Sequence, residues 1–355
     1  MSTRYGVAVV VVVILLVHAP WAAAEVRYTV TDLLPTGGLV RPGGTNSTGQ
    51  VVGWQSGVHG FLWDKGTTTD LGTLGGTYSE ARGIDDAGRV VGGAYTSTGY
   101  QHAFLYVGGV MTDLGTLGGK TSIAMGINEV GQITGSANWR MVSYDSHAFI
   151  YQNGQMTDIG TLGGANSYAQ AINDIGQVVG QAQNASSRPH AFLYSGGVML
   201  DLGTFGGQES SAYGINNSGL VVGWSHDLDG RYHAFSYREG TMTDLGNLGL
   251  VSSYALGVND HGDIVGRSFT AVNVCHAFLY EDDRMVDLNS LIDPASGWTL
   301  VGANTISNDG RILGWGYNAQ GQDHAFLLTP IPEPASLSLL AIGLGTLLVR
   351  RRARG

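Results

Sequence analysis

A histidine-small-phenylalanine core returns along the chain at His59, His102, His147, His190, His233, His276 and His324, at spacings of 43, 45, 43, 43, 43 and 48 residues. A fixed period of this length means that one supersecondary unit is copied and stacked, so the unit decides the fold. Each copy carries two further landmarks: an aspartate eleven residues after the histidine, set in a Thr-Asp-Leu core, and an Ile-Asn-x-x-Gly turn followed by an apolar run. All three landmarks recur seven times, with substitutions.

The unit reads as four short strands. Residues 124–128, rich in small side chains, form the first, and the turn Asn128-Glu-Val-Gly131 closes it, because asparagine favours a turn start and glycine accepts the left-handed conformation. Residues 132–137 form the second strand, and a variable loop leads to the third at His147-Ala-Phe-Ile-Tyr151. Asn153-Gly154 is a strong two-residue hairpin signal, returning the chain as a fourth strand over 155–159. Equivalent turns are expected at Lys65-Gly66, Gly108-Gly109, Gly196-Gly197, Glu239-Gly240 and Asp282-Asp283.

A four-stranded antiparallel sheet cannot bury both faces alone, so copies must stack into a ring or an open β-solenoid. The phase of the repeats favours the ring. The series begins with Val30-Thr31-Asp32-Leu33, a fourth strand with no third before it, and finishes with His324-Ala-Phe-Leu-Leu-Thr329, a third strand with no fourth after it. Pairing the two gives seven complete sheets: an all-β, seven-bladed β-propeller closed by its N-terminal strand, with no sheet edge left incomplete. The first strands would then crowd round the axis, which suits their alanine and glycine content.

Composition agrees with short strands and turns: 56 glycines and 43% apolar residues, without a collagen period. Residues 1–24 read as a secretory signal peptide for signal peptidase: Arg4, an apolar run from Val7 to Val17, and Ala22-Ala23-Ala24 before the cut. Cys275 is the only cysteine, so an exported chain would have no internal disulfide. Without Arg4 and the four tail arginines, the 18 basic residues fall to 13 against 28 acidic ones, a net charge of −15. Nucleic acid is therefore not an expected partner.

At the other end, Pro332-Glu333-Pro334 precedes an apolar run from Ala335 to Val349 and then Arg350-Arg351-Arg352-Ala353-Arg354. In order and position these parts closely resemble the PEP-CTERM sorting signal of Gram-negative bacteria. The resemblance implies an exosortase partner and a short transmembrane helix over part of residues 331–355. It also implies transient inner-membrane anchoring before release to the cell surface or exterior. The repeat wording itself, spanning residues 25–330 as one domain, resembles the bacterial extracellular HAF repeat family, which has no established enzymatic activity. The likeness weakens where Asn289-Ser290-Leu291-Ile292 replaces Gly-Thr-Leu-Gly and the connection lengthens through Pro294 and Trp298, so an irregular final blade is expected.

Seven histidines at equivalent places in separate blades cannot converge on one metal ion, which needs its ligands within about 2.0–2.3 Å. Each is instead expected to hydrogen-bond the aspartate eleven residues on: His59 to Asp70, His102 to Asp113, His147 to Asp158, His190 to Asp201, His233 to Asp244 and His276 to Asp287. His324 would pair with Asp32, joining the ends. No triad order, nucleophile elbow or phosphate-cradling loop appears. Asp227-Leu-Asp229-Gly230 is a fragment of a calcium loop without its later ligands, and reads as a surface turn; no other cofactor is indicated.

A localised function would sit where the repeats disagree. The loops between second and third strands vary most, and in a propeller they share one face. The position after the second strand's glycine is also free, holding Trp54, Gly93, Ser136, Gln181, Trp224, Arg267 and Trp315. With Trp139, Arg140 and Tyr144 in the third unit's loop, these offer aromatic faces for sugar rings; packing between blades is the alternative. The expectation is an exported, monomeric, non-enzymatic surface or matrix protein contacting exopolysaccharide. The alternatives are a polysaccharide-active enzyme, needing paired non-repeat carboxylates, and a purely structural biofilm component.

Overall fold

The computed structural model describes residues 26–33, 40–55, 57, 59–141, 145–249, 252–271 and 274–332. It contains seven four-stranded antiparallel sheets, six of them following chain order, arranged as a seven-bladed β-propeller. Blades 1 to 6 cover residues 40–70, 75–113, 122–158, 163–201, 206–244 and 253–287. Blade 7 takes its first three strands from Thr299–Ile306, Ile312–Tyr317 and Asp323–Pro330, and its fourth from Tyr28–Asp32. That closing strand runs antiparallel to the third, Tyr28 opposite Pro330 and Asp32 opposite Phe326.

The six two-residue hairpins each place both central residues at positive φ, from Lys65 and Gly66 to Asp282 and Asp283. This matches the right-handed twist of the flanking strands. In blade 3 the strands are Ser122–Ile127, Ile133–Asn138, Ser146–Gln152 and Gln155–Asp158. Asn128 falls outside the first strand because its side chain serves the turn: Oδ1 accepts from Gln132 N at 2.8 Å.

The core lies between successive blades. One cluster joins Val91 and Ala103 of blade 2 to Leu114, Ala124, Ile133 and Phe149. The motif phenylalanine is its fixed point: Phe104, Phe149, Phe192, Phe235, Phe278 and Phe326 are all fully buried. Each stands directly opposite the second-strand glycine, as Phe235 does Gly223. A Cβ on Gly223 would lie 2.0 Å from Ser211 O and 2.9 Å from the Phe235 ring. The same approach to the first strand's carbonyl recurs at Gly53, Gly92, Gly135, Gly180, Gly266 and Gly314. Glycine and phenylalanine recur together because the ring occupies the space that a side chain on the facing strand would need.

The final blade keeps four strands, and its first strand carries an extra register shift at Leu300–Gly302 besides the one at Ala303–Thr305. The longer connection before it forms two short 3-10 turns, Leu288–Leu291 and Pro294–Ser296, which bring Leu288, Leu291 and Ile292 into the core. Trp298 meets the Phe326 ring edge-on at 5.9 Å. The departure from the repeat is absorbed in the connection and in the extra shift of the strand that follows it, and the four strands stay paired.

Candidate functional site: the face of the second-to-third strand loops

Antiparallel order puts the second-to-third strand loops, the histidines and the motif aspartates at one end of every blade. His Nδ1 lies 2.6–2.9 Å from the aspartate carboxylate in all seven units, the joining pair His324–Asp32 included. Six of the aspartates, from Asp70 to Asp287, also close a turn: Asp113 Oδ1 accepts from Gly115 N at 2.7 Å, and Asp158 from Gly160 N at 2.7 Å. The pair thus ties the third strand to the exit of the fourth, where the chain leaves for the next blade. Asp113 is 42% exposed at its side chain, so the pair is worth only about 0.5–1 kcal/mol. His102→Ala and Asp113→Ala are expected to be non-additive by that amount in chemical denaturation, because either removes the same contact. Additive effects would contradict the coupling.

Two sets of structural residues escape a reading of single repeats. A buried serine in the first strand, Ser79, Ser122, Ser167, Ser210 or Ser253, clamps the blade before it. Ser122 Oγ accepts from Ala103 N at 2.8 Å and donates to Gly115 O at 2.5 Å. Before blade 7, Asn289 does comparable work, with Oδ1 accepting from Leu300 N at 2.7 Å. At the opposite face, turn asparagines link blade to blade: Asn128 Nδ2 donates to Asn173 O, Asn173 to Asn216 O and Asn216 to Asn259 O, at 2.8–3.1 Å. The signal for both sets was the serine or asparagine recurring at the same place in successive units.

The tryptophans are engaged by neighbouring side chains. Arg82 of blade 2 lies 4.0 Å over Trp54 of blade 1, and Arg41 of blade 1 lies 5.8 Å from Trp315 of blade 7. Trp224 packs with Tyr232 at 5.0 Å and with Tyr254 of blade 6 at 6.3 Å. Trp139 is stacked on His147 at 4.9 Å and covered by Arg140 at 3.7 Å. Tyr144 lies outside the described residues. Arg267 rests 4.6 Å over Tyr254, whose phenol burial pushes up to about 12. Exposed aromatic rings remain on this face at Tyr95, Tyr100, Tyr168 and Tyr317.

Asp227 does not offer a calcium site. Its Oδ1 accepts from Asp229 N and Arg231 N, and its Oδ2 faces His233 Nε2 at 3.2 Å. Asp229 turns instead to Arg231. Among the described residues no group of three His, Cys, Asp or Glu side chains is placed to hold a metal ion.

The first strands line the axial channel, a cavity of about 390 Å³ with Gly44, Gly83, Gly126, Gly214 and Gly257 in its wall. At its asparagine-turn mouth stand Asp86, Glu129, Asp174 and Asp260. All four occupy the same repeat position, and each accepts a neighbouring backbone N–H, as Glu129 does from Asp86 N at 3.1 Å. Burial and then the nearby carboxylates push Glu129 up from its usual range, partly offset by that hydrogen bond.

Beyond the propeller, the PEP-CTERM protein-sorting motif matches residues 330–352. The chain carries an exosortase sorting signal. Such a signal implies export, processing by an exosortase and membrane anchoring of the C-terminal region. Of the motif, Pro332 is described and exposed, while Glu333, Pro334, Arg350, Arg351 and Arg352 lie outside the described residues, as does the leader at 1–24. Among the described residues no helix is long and apolar enough to cross a membrane; the run at 335–349 is not among them.

No curated protein matches the chain. Among solved structures it is similar to TolB from Acinetobacter baumannii, at 11% identity and a TM-score of 0.44, over 85% of this chain and 63% of that one. A puromycin-hydrolyzing peptidase from Mycobacterium tuberculosis gives 12% and 0.49, over 86% and 55%. The six-bladed fungal lectin of Aleuria aurantia gives 15% and 0.36, over 71% and 95%. The chain thus spans less than two thirds of the first two, and likenesses at these identities concern the fold alone.

Proposed function

We propose that this is a non-enzymatic surface or matrix protein of the HAF-repeat kind, delivered through the exosortase route, whose second-to-third strand loop face binds exopolysaccharide. The observation that carries this is the coexistence of a sorting signal with a ring whose variable residues gather, with exposed tyrosines, on one face. Aromatic faces beside arginine and asparagine suit sugar rings, which offer apolar C–H faces and hydroxyls together.

The channel mouth speaks against the enzyme reading. A glycosidase needs two carboxylates flanking one bond, one of them free to act as acid. The four carboxylates at the mouth are repeat residues engaged by neighbouring backbone amides. A glycan array probed with the folded protein tests the reading: binding to a subset of polysaccharides is expected, and silence across the array would leave only the purely structural role.

A further inference from the structure

Between blades 6 and 7, at the same loop face, lies a groove of about 460 Å³, within the size range of small-ligand sites. Arg267, Phe269 and His276 line one side; Thr299, Trp315 and Tyr317 line the other. His276 Nδ1 is held by Asp287 at 2.6 Å and Trp315 has Arg41 nearby, so both walls are fixed.

Arg267 gives the groove its chemical preference. Arg140 and Arg238 rest on Trp139 and Ser218, whereas Arg27, Arg41, Arg82, Arg89, Arg231 and Arg311 each have a carboxylate partner. Arg267 has none among the described residues: its guanidinium rests on Tyr254, and its Nε is sealed from solvent without an acceptor. A partly desolvated cation lacking its counter-charge is costly, and a ligand carboxylate would relieve it. Opposite stands Tyr317, 45% exposed and without a ring partner among the described residues, beside the Thr299 hydroxyl. A planar anion acceptor, a free aromatic face and a hydroxyl within one groove match a sugar ring that carries a carboxylate.

We propose that this groove binds a hexuronate unit of an acidic polysaccharide, with Arg267 holding the carboxylate, Tyr317 beneath the ring and Thr299 bonding a hydroxyl. The inference rests on the carbohydrate-binding reading above, and gives it a place and a ligand class.

Titration calorimetry of the protein produced from its full-length sequence, with oligogalacturonate as the probe, tests it. Saturable binding is expected, weakened by added salt and displaced by free glucuronate but not by equal acetate. Arg267→Gln and Tyr317→Ala are each expected to weaken it about tenfold or more, the scale of one charge-assisted bond or one stacked ring. Tyr317 is exposed, so its variant serves if the Arg267 variant does not fold. Absence of oligogalacturonate binding, or binding unmoved by both substitutions, overturns the proposal. If the array shows neutral glycans bound while oligogalacturonate is ignored, the hexuronate site falls and the carbohydrate reading stands; a wholly silent array removes both.

Discussion

Gly223→Ala is expected to cost about 3 kcal/mol or more and to lower the melting temperature of the propeller by several degrees. The reason is geometric: the added Cβ would sit 2.0 Å from Ser211 O and 2.9 Å from the Phe235 ring. Neither neighbour can retreat, since one is strand backbone and the other a fully buried ring packed in the core between blades. Moving the first strand aside would disturb the bulge at Ala212–Gly214 and so the wall of the channel. Thermal melting followed by far-ultraviolet circular dichroism measures this, and an unchanged midpoint would mean that the two strands are not so closely apposed.

Deleting residues 26–33 is expected to have the larger effect. Tyr28 and Leu33 are buried at 5% and 0% exposure, Leu33 in the cluster that joins blade 7 to blade 1. Losing two such side chains removes about 3–6 kcal/mol of apolar burial. The lost strand hydrogen bonds, at about 1 kcal/mol each, bring the total into the range of a whole domain's stability. The deletion also bares Asp323–Pro330 as a sheet edge, an aggregation template. Limited proteolysis and gel filtration of the deleted chain should show loss of the protease-resistant ring. A soluble, resistant propeller lacking this strand would contradict the closure.

Much of this fold was legible because the repeat made each inference seven times over. The two-residue turns, the blade count and the closing strand all follow from local turn chemistry and from the phase of the landmarks. The contact of His324 with Asp32 across 292 residues follows from the same register as that of His102 with Asp113 across 11. What stayed hidden lies in close backbone approaches and in contacts between units. The approach of Gly223 to Ser211 O is a distance between facing strands of one blade, and the serine clamp joins residues 19 apart that belong to different blades. The candidate site was harder still. Trp54 and Trp224 look alike as ligand platforms until Arg82 and Tyr254 of the next blade are seen against them. Arg267 stands out only in three dimensions, where its Nε is sealed from solvent without an acceptor at the edge of a groove.

One blade is shared between strands from distant parts of the chain, and a cross-link tests that sharing most directly. Thr29 and Thr329 stand opposite each other in the closing pair, 300 residues apart in sequence. In an antiparallel pair the Cα atoms are about 4.5–5.5 Å apart, within reach of a disulfide. In a Cys275→Ser background, Thr29→Cys with Thr329→Cys is expected to oxidise to an intramolecular disulfide. The cross-linked chain should keep monomer mass, migrate faster without reductant, and gain roughly 5 kcal/mol from closing so long a loop. Thiols that stay free in the folded protein, or that pair only between molecules, would contradict the shared blade.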